Sequence, residues 1–472
     1  MSRILGCISS LFYLVVLYSV ADPVYLEGQT EAASTVLLSP GDNLQVAVNN
    51  APAGTTFVLR EGVYRMQEIF AKSGDIFNGE GKVVLNGSQI LSFSPDPAGS
   101  GMWVATASTM PDHNGRCSKT SPLCGYVQDL FVDDVLQTRV SGPQNLAPGQ
   151  WYFDMDNHKV YVPTDPSTHI VEIGMTEYAI LGHTNGIANV QINNLIIEKY
   201  AVQAQFGVIG AGNSAIGWVV NRCEVRWNHS VGINLGPGSQ ITNSYIHHNG
   251  ELGFELTGSE TSVINNEISW NNYAGYDVTW NAGADHVGQT NDLVFKSNYI
   301  HDNEGCGVWT DTNDVGTIVE DNTITHNGCG IRREKGYSIT IDNNTLLGNS
   351  NSSIYILASS GADIYGNTIE VPSDSTTGIG LTNDTSDIGT LGPYVTANNE
   401  IHNNTITYQA STGVSGLANN STGDAGAAVG NQFDYNRYIL LDGGESHWDW
   451  FGTLNWSGFQ AAGEEQHGSC CS

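Results

Sequence analysis

Asparagine recurs through the middle of the chain at nearly constant intervals, and this repeat constrains the fold more than any other feature. Six asparagines that each end a short segment such as Asn-Thr-Ile-Thr-His-Asn lie at intervals of 21, 22, 32, 24 and 22 residues: Asn228, Asn249, Asn271, Asn303, Asn327 and Asn349. Units of this length that contain several short strands are typical of a parallel β-helix, whereas helical solenoids need longer repeats with a 3.6-residue period. Stacked asparagines at the turns would hydrogen-bond between coils and satisfy backbone groups that a tight corner leaves unpaired.

The flanks of the repeat predict how the solenoid begins and ends. Residues 42–52 predict a short helix and 55–64 a first strand, and the helix would cover the open end of the solenoid. Between 92 and 185 the period breaks, and alternating strand patterns predict a small inserted antiparallel β subdomain. The predicted protein is therefore all-β, with these parts: an N-terminal cap and first coils (35–91), the inserted subdomain (92–185), the β-helix core with its active face (186–410), and C-terminal coils and a tail (411–472).

Residues 1–21 have the features of an export signal. Arg3 precedes an apolar run, and Ser19-Val20-Ala21 supplies small residues for cleavage. An uncleaved anchor is the alternative, but polar residues interrupt the run. No later stretch has the length and hydropathy of a membrane span. We therefore predict a secreted, extracellular protein that has no membrane contact after signal cleavage.

The chain is strongly acidic, with 17 Lys and Arg against 48 Asp and Glu and a formal net charge of -31. This balance argues against nucleic acid as a partner, because neutralising phosphates requires basic groups. It also disfavours a polyanionic substrate such as pectate or alginate, unless a metal or a local basic cluster compensates. A solubilising surface explains the acidity equally well, so the charge assigns no function.

Glycines in register divide the repeat into inward and outward positions. The aligned segments begin at these residues: Gly232, Gly253, Gly275, Gly307 and Gly330. The first and third residues after each glycine are mostly apolar, Tyr276 and Val278 among them, so they are predicted to face the core. The second and fourth residues then face outward: Asn234, Glu255, Asp277, Trp309, Asp311, Arg332 and Glu334. Arg333 falls at a core position, which predicts that the strand ends there or that a bulge re-aims the side chain.

The long interval between Asn271 and Asn303 marks an insertion of about ten residues, which we predict near 282–288. Insertions in a solenoid loop out on one face, and that face is often the binding face. This segment contains His286 and precedes the coil that carries Asp311. His286 is therefore a candidate substrate-binding residue.

Asp311 and Glu334 occupy one column of the repeat, one turn apart, with Cα atoms roughly 5 Å apart on adjacent strands. Carboxyl groups about 5–5.5 Å apart are the geometry of retaining glycosidases, in which one carboxylate is the nucleophile. Close carboxylates also push their pKa values apart, which leaves one ionised and one protonated. Trp309 would offer an aromatic face to a sugar ring, and Glu255 and Asp277 could bond its hydroxyls. A chance stack of surface acids is the alternative to this catalytic interpretation.

Other functions fit some of the same residues. Asp277, Asp311 and Glu334 could gather Ca²⁺, which takes oxygen ligands, although a glycosidase of this kind needs no cofactor. A uronate lyase or epimerase would use a basic residue near this face, and the basic residues of the region are Arg332, Arg333 and Lys335. Their charges are also explained by neutralisation of the acidic column. A non-catalytic carbohydrate-binding protein is the third possibility.

Eight cysteines include Cys7 in the predicted signal. Cys117 and Cys124 bracket a polar loop that a disulfide would close. Cys306 and Cys329 stack on neighbouring turns, where the strand spacing permits a disulfide but a reduced pair in the core fits equally well. The adjacent pair at 470–471 lies in the tail and has no assigned partner.

Two segments carry a resemblance to a known group of proteins. Gly307-Val308-Trp309-Thr310-Asp311-Thr312-Asn313 is followed by Asn327-Gly328-Cys329-Gly330-Ile331-Arg332-Arg333-Glu334, and together they resemble secreted right-handed parallel β-helix proteins that act on carbohydrates. Residues 146–154 are similar to the inserted β region of those proteins. Over residues 40–410 the chain resembles most the β-helix β-xylosidases of glycoside hydrolase family 120.

The resemblance implies roles for the two carboxylates. Asp311 matches the nucleophile of that family and Glu334 its general acid/base, on successive coils. It also implies a β-xyloside or a plant cell-wall oligosaccharide as the substrate. The relatives often carry a histidine before the glutamate and an aromatic residue after it, where this chain has Arg333 and Lys335.

Overall fold

Short strands separated by tight turns wind the chain into stacked coils. One coil consists of the strands Cys306–Asp311, Val315–Glu320 and Thr323–Thr325, after which Cys329–Glu334 begins the next coil. Equivalent strands of neighbouring coils pair in parallel, residue for residue. The predicted parallel β-helix is therefore confirmed.

A computed structural model describes residues 34–471, with gaps at 112–114, 183–185, 373–376, 384–386, 412, 419–428, 442 and 445. The predicted export signal lies outside the described residues. Among the residues that are described, no helix has both the length and the apolar character needed to cross a membrane.

The coils build two sheets along the solenoid. The first strands of successive coils form a 13-stranded sheet, here called the site sheet: Ile69–Phe70, Ile180–Leu181, Gly207–Gly212, Val231–Leu235, Leu252–Thr257, Gly283–Gly288, Cys306–Asp311, Cys329–Glu334, Ser352–Leu357, Thr377–Thr382, Val414–Leu417, Trp448–Trp450 and Thr453–Leu454.

The second sheet has 24 strands and bends into two rows. It begins with three strands: Thr35–Leu38, Thr56–Arg65 and Ile76–Asn86. The first row continues with Gln191–Asn193, Val219–Asn221, Gln240–Thr242, Ser262–Ile264, Val294–Lys296, Val315–Glu320, Tyr337–Asp342, Ser360–Tyr365, Glu400–His402 and Gln432–Asp434. The second row continues with Ile196–Glu198, Glu224–Arg226, Tyr245–His247, Glu267–Ser269, Tyr299–His301, Thr323–Thr325, Thr345–Leu347, Thr368–Val371, Thr405–Tyr408, Arg437–Leu440 and Ser469–Cys470.

An apolar column runs through the interior behind the site sheet. Its members are fully buried and lie in register, with the polar Asp285 between the second and the third: Ile233, Phe254, Val308, Ile331 and Ile354. Each such side chain stabilises the fold by about 1.5–3 kcal/mol relative to the exposed state. The predicted alternation of inward and outward residues is therefore confirmed for these strands.

Asparagine ladders line two corners of the solenoid. In the predicted ladder, each Nδ2 from Asn228 to Asn327 donates to the Oδ1 of the next asparagine at 2.9–3.2 Å. A second ladder, which the sequence analysis did not identify, has the same geometry at 2.9–3.1 Å: Asn266, Asn298, Asn322, Asn344, Asn367, Asn404 and Asn436. These bonds hold successive coils in register.

Both ends of the solenoid are covered by short helices. The predicted N-terminal helix is observed at Leu44–Asn50, where Asn43 accepts a hydrogen bond from the Val46 amide and so caps the first turn. At the other end, the helix Trp456–Ala461 buries Phe459 against the last coils. Each helix covers apolar residues that an open coil would expose.

The inserted subdomain consists of two small sheets between Ser88 and Gly174. The five-stranded sheet contains Ser94–Pro95, Trp103–Thr106, Thr138–Arg139, Gln150–Asp154 and Lys159–Val162, and the four-stranded sheet contains Ser88–Ile90, Leu130–Val132, Val135–Leu136 and Val171–Gly174. Pairing is antiparallel except between Thr138–Arg139 and Gln150–Asp154, which confirms the predicted subdomain. The solenoid resumes at Ile180–Leu181, before the predicted boundary at 185.

Two further two-stranded sheets complete the fold. They pair Ile187–Ala188 with Ala215–Ile216 in parallel and Ile388–Gly389 with Gly392–Pro393 in an antiparallel hairpin.

The alignment that began at Gly275 is wrong. The strand that follows Leu252–Thr257 in the site sheet is Gly283–Gly288, and the inserted residues precede it. Tyr276 instead exchanges hydrogen bonds with the Asn272 side chain and bridges to Cys117, so this segment is held outside the sheet. Val278, predicted to face the core, is 45 % exposed.

Three disulfides are present among the described residues. Cys117–Cys124 closes the polar loop as predicted. Cys306 and Cys329 form a disulfide that joins the two coils of the carboxylate pair. Of the two predicted alternatives, the disulfide is therefore observed and the reduced pair is not. The adjacent tail cysteines are bonded to each other, and Cys223 is buried as a free thiol.

Candidate active site

Asp311 and Glu334 are register partners at the ends of two adjacent strands of the site sheet. Adjacent strands lie about 4.8 Å apart, so the two carboxylates leave the sheet side by side. Their side chains are 26 % and 18 % exposed, respectively, so both reach solvent while most of their surface is covered. The predicted stacking of the pair is confirmed.

Polar groups surround the Asp311 carboxylate. Thr312 Oγ1 donates to Asp311 Oδ1 at 2.7 Å, and His286 Nε2 lies 3.6 Å from Oδ2, which is an ion-pair distance rather than a hydrogen bond. Burial alone would raise the pKa of Asp311, but His286, Thr312 and the charge of Lys335 outweigh it and hold the pKa below its usual value of 3.8. Asp311 is therefore ionised at neutral pH.

Arg332 covers the space between Trp309 and Glu334. Its Nη2 lies 2.8 Å from Glu334 Oε2 but without the alignment of a hydrogen bond, and its guanidinium lies 4.8 Å from the centre of the Trp309 ring. Trp309 is 4 % exposed and packs against the Cys306–Cys329 disulfide. The ring therefore supports Arg332 and does not present the open face to solvent that the sequence predicted.

The outward column continues from Trp309 toward the N-terminus through His286, Glu255 and Asn234. The His286 ring meets Trp309 edge-on at 4.9 Å. Asn234 Nδ2 donates to Glu255, whose pKa is raised by burial against the opposing effect of His286. Glu255 thus lies on the same face as the carboxylate pair, as predicted, and His286 lies there too, in a strand of the sheet and not in the inserted loop that the sequence predicted.

Two core positions behind this face hold ionisable residues. Asp285 replaces an apolar residue in the inward column, and its Oδ1 accepts a hydrogen bond from the Trp309 amide at 2.7 Å. Arg333 is fully buried although its strand continues through Glu334. Neither predicted explanation for Arg333, a strand end or a bulge, is correct: the guanidinium lies inside the coil and does not reach a substrate on the outer face.

A hairpin that the sequence analysis missed lies beside the pair. Asn313 Oδ1 accepts hydrogen bonds from the Thr390 amide at 2.9 Å and from the Tyr394 hydroxyl at 2.7 Å. Lys335 pairs with Asp387 at the start of the same segment. The ladder interval of 37 residues between Asn367 and Asn404 is the sequence signal that could have revealed this insertion.

Asp277 is not part of the outward column. It lies in the inserted segment, where Oδ1 accepts hydrogen bonds from the Thr279 amide and hydroxyl at 2.9 and 2.8 Å. The proposed calcium ligands Asp277, Asp311 and Glu334 are therefore not brought together. Among the described residues, one group could hold a metal ion, and it lies on the second sheet: Asp363, Glu400 and His402.

A cleft of about 320 Å³ lies where the inserted subdomain meets the coils. Tyr126, Asp129, Arg139 and His229 line it, together with Tyr273, and neither member of the carboxylate pair does. His229 is buried with Nδ1 2.8 Å from Asp129 and Nε2 2.8 Å from a backbone carbonyl, so its nitrogens serve the packing of the subdomain. The candidate site is thus distinguished by its chemistry and not by the size of a cavity.

Comparison with known proteins supports the architecture. A family model for the right-handed β-helix region matches residues 206–369. The structure of XylC in complex with xylose superposes with a TM-score of 0.68 at 16 % identity, covering 86 % of this chain and 83 % of that one. A glycoside hydrolase superposes with a TM-score of 0.52 at 11 % identity, covering 87 % of this chain and 96 % of that one.

A third solved structure, the A-module of the mannuronan C-5 epimerase AlgE6 of Azotobacter vinelandii, has a TM-score of 0.50 at 13 % identity, with coverage of 91 % and 93 %. The fold is a right-handed parallel β-helix. No curated protein matches the sequence. Since the similar structures include both a hydrolase and an epimerase, the β-helix itself does not assign a reaction, and the carboxylate site must do so.

Proposed function

We propose that the protein is a retaining glycoside hydrolase that acts on plant-type oligosaccharides or polysaccharides, with β-xylosides as the first substrate class. The observation that carries the proposal is the register of Asp311 with Glu334 on adjacent strands, in surroundings that keep Asp311 ionised. That spacing suits a mechanism in which one carboxylate attacks the sugar and the other transfers protons.

Asp311 is the proposed nucleophile because its environment favours the ionised form. Its carboxylate attacks the anomeric carbon while the glycosidic C–O bond breaks, and the leaving oxygen takes a proton from Glu334. Glu334 then removes a proton from water, which attacks the same carbon and releases Asp311. Two inversions give a product with the configuration of the substrate.

The remaining residues of the face have binding roles in this proposal. Glu255, His286 and Arg332 line the outer surface beside the pair and supply acceptors and donors for sugar hydroxyls. The likeness to a structure that holds xylose supports the choice of β-xylosides as the first substrates. The proposed site of action is extracellular, because residues 1–21 have the features of an export signal.

A uronate lyase or epimerase is the second candidate. Arg332 lies on the outer face, Lys335 follows Glu334 directly, and both are close enough to the pair to serve a uronate. A lyase would release an unsaturated product that absorbs ultraviolet light, whereas a hydrolase would not. A carbohydrate-binding protein without activity would bind the glycan and leave it intact.

The test is a screen of nitrophenyl glycosides, xylo-oligosaccharides and uronate polymers, with the anomer of the first product determined by NMR. The proposal expects hydrolysis with retention for the wild type and little activity for Glu334→Ala. Azide should restore activity to Glu334→Ala on a substrate with a good leaving group and form a glycosyl azide. An unsaturated product would overturn the hydrolase proposal in favour of the lyase.

A further inference from the structure

Arg333 is a charged residue in an inward column that is apolar on its C-terminal side. Its register partners toward the C-terminus are Ile356 and then Leu381, and all three side chains are fully buried. A buried guanidinium costs free energy unless hydrogen bonds and a counter-charge compensate it. The contacts of Arg333 therefore indicate its role in the protein.

The guanidinium of Arg333 has polar contacts with four residues within the coil. Nη1 donates to Thr310 Oγ1 and to Thr317 Oγ1, both at 3.2 Å. Nη2 donates to the backbone carbonyls of Asp314 and of Tyr337. The Asp314 carboxylate lies 3.4 Å from Nη1 and supplies the counter-charge.

These contacts lie inside the coil, next to the strand ends that carry the carboxylate pair. Thr310 directly precedes Asp311 and Arg333 directly precedes Glu334, and the two are register partners. Of the two carbonyls that Nη2 binds, that of Asp314 lies in the turn after Asp311, and that of Tyr337 lies at the start of the strand after Glu334. We propose that Arg333 is a positioning residue that, from inside the β-helix, holds the ends of both strands and so fixes the separation of the two carboxylates.

Gly336 supplies the space that this arrangement needs. A Cβ atom at position 336 would lie 2.3 Å from Arg333 Cζ, so any side chain there would displace the guanidinium. On the other side, Asp314 Oδ1 accepts hydrogen bonds from the Thr290 amide and hydroxyl at 2.8 and 2.6 Å. The ion pair of Arg333 and Asp314 is therefore held from two sides: Gly336 leaves room for the guanidinium, and Thr290 of the preceding coil binds the carboxylate.

The inference rests on the proposed hydrolase function and deepens it. A positioning role predicts a loss in kcat with little change in KM, because the sugar binds on the outer face, which Arg333 does not reach. A misplacement of about 1 Å can cost roughly 10²-fold in rate, which sets the size of the expected loss.

Two variants test this role in the full chain. Gly336→Ala displaces the guanidinium and keeps its charge, and the double variant Arg333→Met/Asp314→Asn removes both charges together, so that no unpaired charge stays buried. Leu381→Ala is the matched control, because it lies in the same inward column two coils away and lowers stability without touching the pair. Steady-state kinetics on the nitrophenyl substrate, thermal unfolding and the rate of Asp311 labelling by a 2-fluoro-glycoside are measured for each.

The expected result is a fall in kcat and in the labelling rate of about 10²-fold for both test variants, at nearly wild-type KM, while Leu381→Ala keeps kcat. Test variants that unfold earlier but keep wild-type kcat would overturn the positioning role and leave Arg333 as a stability residue. A rise in KM without a loss in kcat would also overturn it. An inactive wild type would instead count against the proposed hydrolase function, so the two failures are distinguishable.

Discussion

Two Asp–Glu pairs in the solenoid share a register but differ in their surroundings. Asp311 lies beside Glu334 on the site sheet, and Asp363 lies beside Glu400 on the second sheet, in both cases as partners on adjacent parallel strands. The resemblance extends further, because each Asp has a histidine within ion-pair distance. Spacing of carboxylates along a β-helix is therefore not enough to identify an active site.

The interior behind the two pairs is where they differ most. Thr310 and Arg333 precede the members of the site pair, whereas Ala362 and Asn399 precede the members of the second pair. The Asp311 side chain is 26 % exposed against 49 % for Asp363. A buried charge is costly, and Arg333 behind the site pair carries one whereas Ala362 and Asn399 behind the second pair do not, which supports the proposed positioning role.

The largest expected difference between the pairs is in activity. Asp311→Ala should lower kcat/KM by at least about 10³-fold, because the nucleophile is lost and no neighbouring group can form the covalent intermediate. Asp363→Ala is the matched control and should keep wild-type activity. If the two variants have equal activity, Asp311 and Glu334 are ordinary surface acids without a catalytic role.

The asparagine ladder that sets the register is expected to dominate stability. Asn303→Ala removes the hydrogen bonds to Asn271 and Asn327 together with those to two backbone carbonyls. Leaving these buried groups unpaired should lower the free energy of unfolding by roughly 3–5 kcal/mol. Urea denaturation measures the change, with Asp363→Ala as the control that should differ from wild type by less than about 0.5 kcal/mol.

The Cys306–Cys329 disulfide packs against Trp309 and joins the two coils that carry Asp311 and Glu334, and not those that carry Asp363 and Glu400. Replacing Cys306 and Cys329 together by serine should lower the free energy of unfolding by about 3 kcal/mol, since the bond closes a loop of 23 residues. Activity should fall as well, because Trp309 packs on this bond and Arg332 lies against the Trp309 ring. Unchanged stability in a denaturant titration under oxidising conditions would mean that the ladders alone hold these coils together.

The smallest effect is expected in the pH profile. Because His286 helps to hold the pKa of Asp311 low, His286→Gln should raise that pKa. The acid limb of kcat/KM then moves to higher pH, and activity is lost at low pH but kept above neutrality. His402→Gln, next to Asp363, is the matched control and should leave the profile unchanged. A shift with both variants would mean that the limb does not report Asp311.

The sequence by itself determined the repeat, the first asparagine ladder and the register of Asp311 with Glu334. These features follow from local periodicity: an asparagine that recurs at each turn fixes the coil length, and a fixed coil length places equivalent residues side by side. The inward and outward alternation follows for the same reason, because successive side chains of a strand point to opposite faces. Glu255 on the outer face was predictable on these grounds.

The tertiary structure decided the features that depend on contacts between distant segments. Gly275 and Gly283 both begin a plausible strand, and only the bridge of Tyr276 to Cys117 shows that the first of them lies outside the sheet. That contact removed Asp277 from the outward column and put His286 into it. The local pattern favours the wrong glycine, because Tyr276 and Val278 fit inward positions after Gly275, whereas the observed strand places Asp285 at an inward position.

The position of the Arg333 side chain also depends on the tertiary structure. A charge at an inward position normally predicts an irregular strand, but here four residues from two successive coils compensate it, and Gly336 leaves the room. The hairpin that meets Asn313 comes from residues about 80 positions later in the chain. Register is a property of the repeat and can be read from the sequence, whereas the cost of burying a charge is settled by partners that only the folded coils bring together.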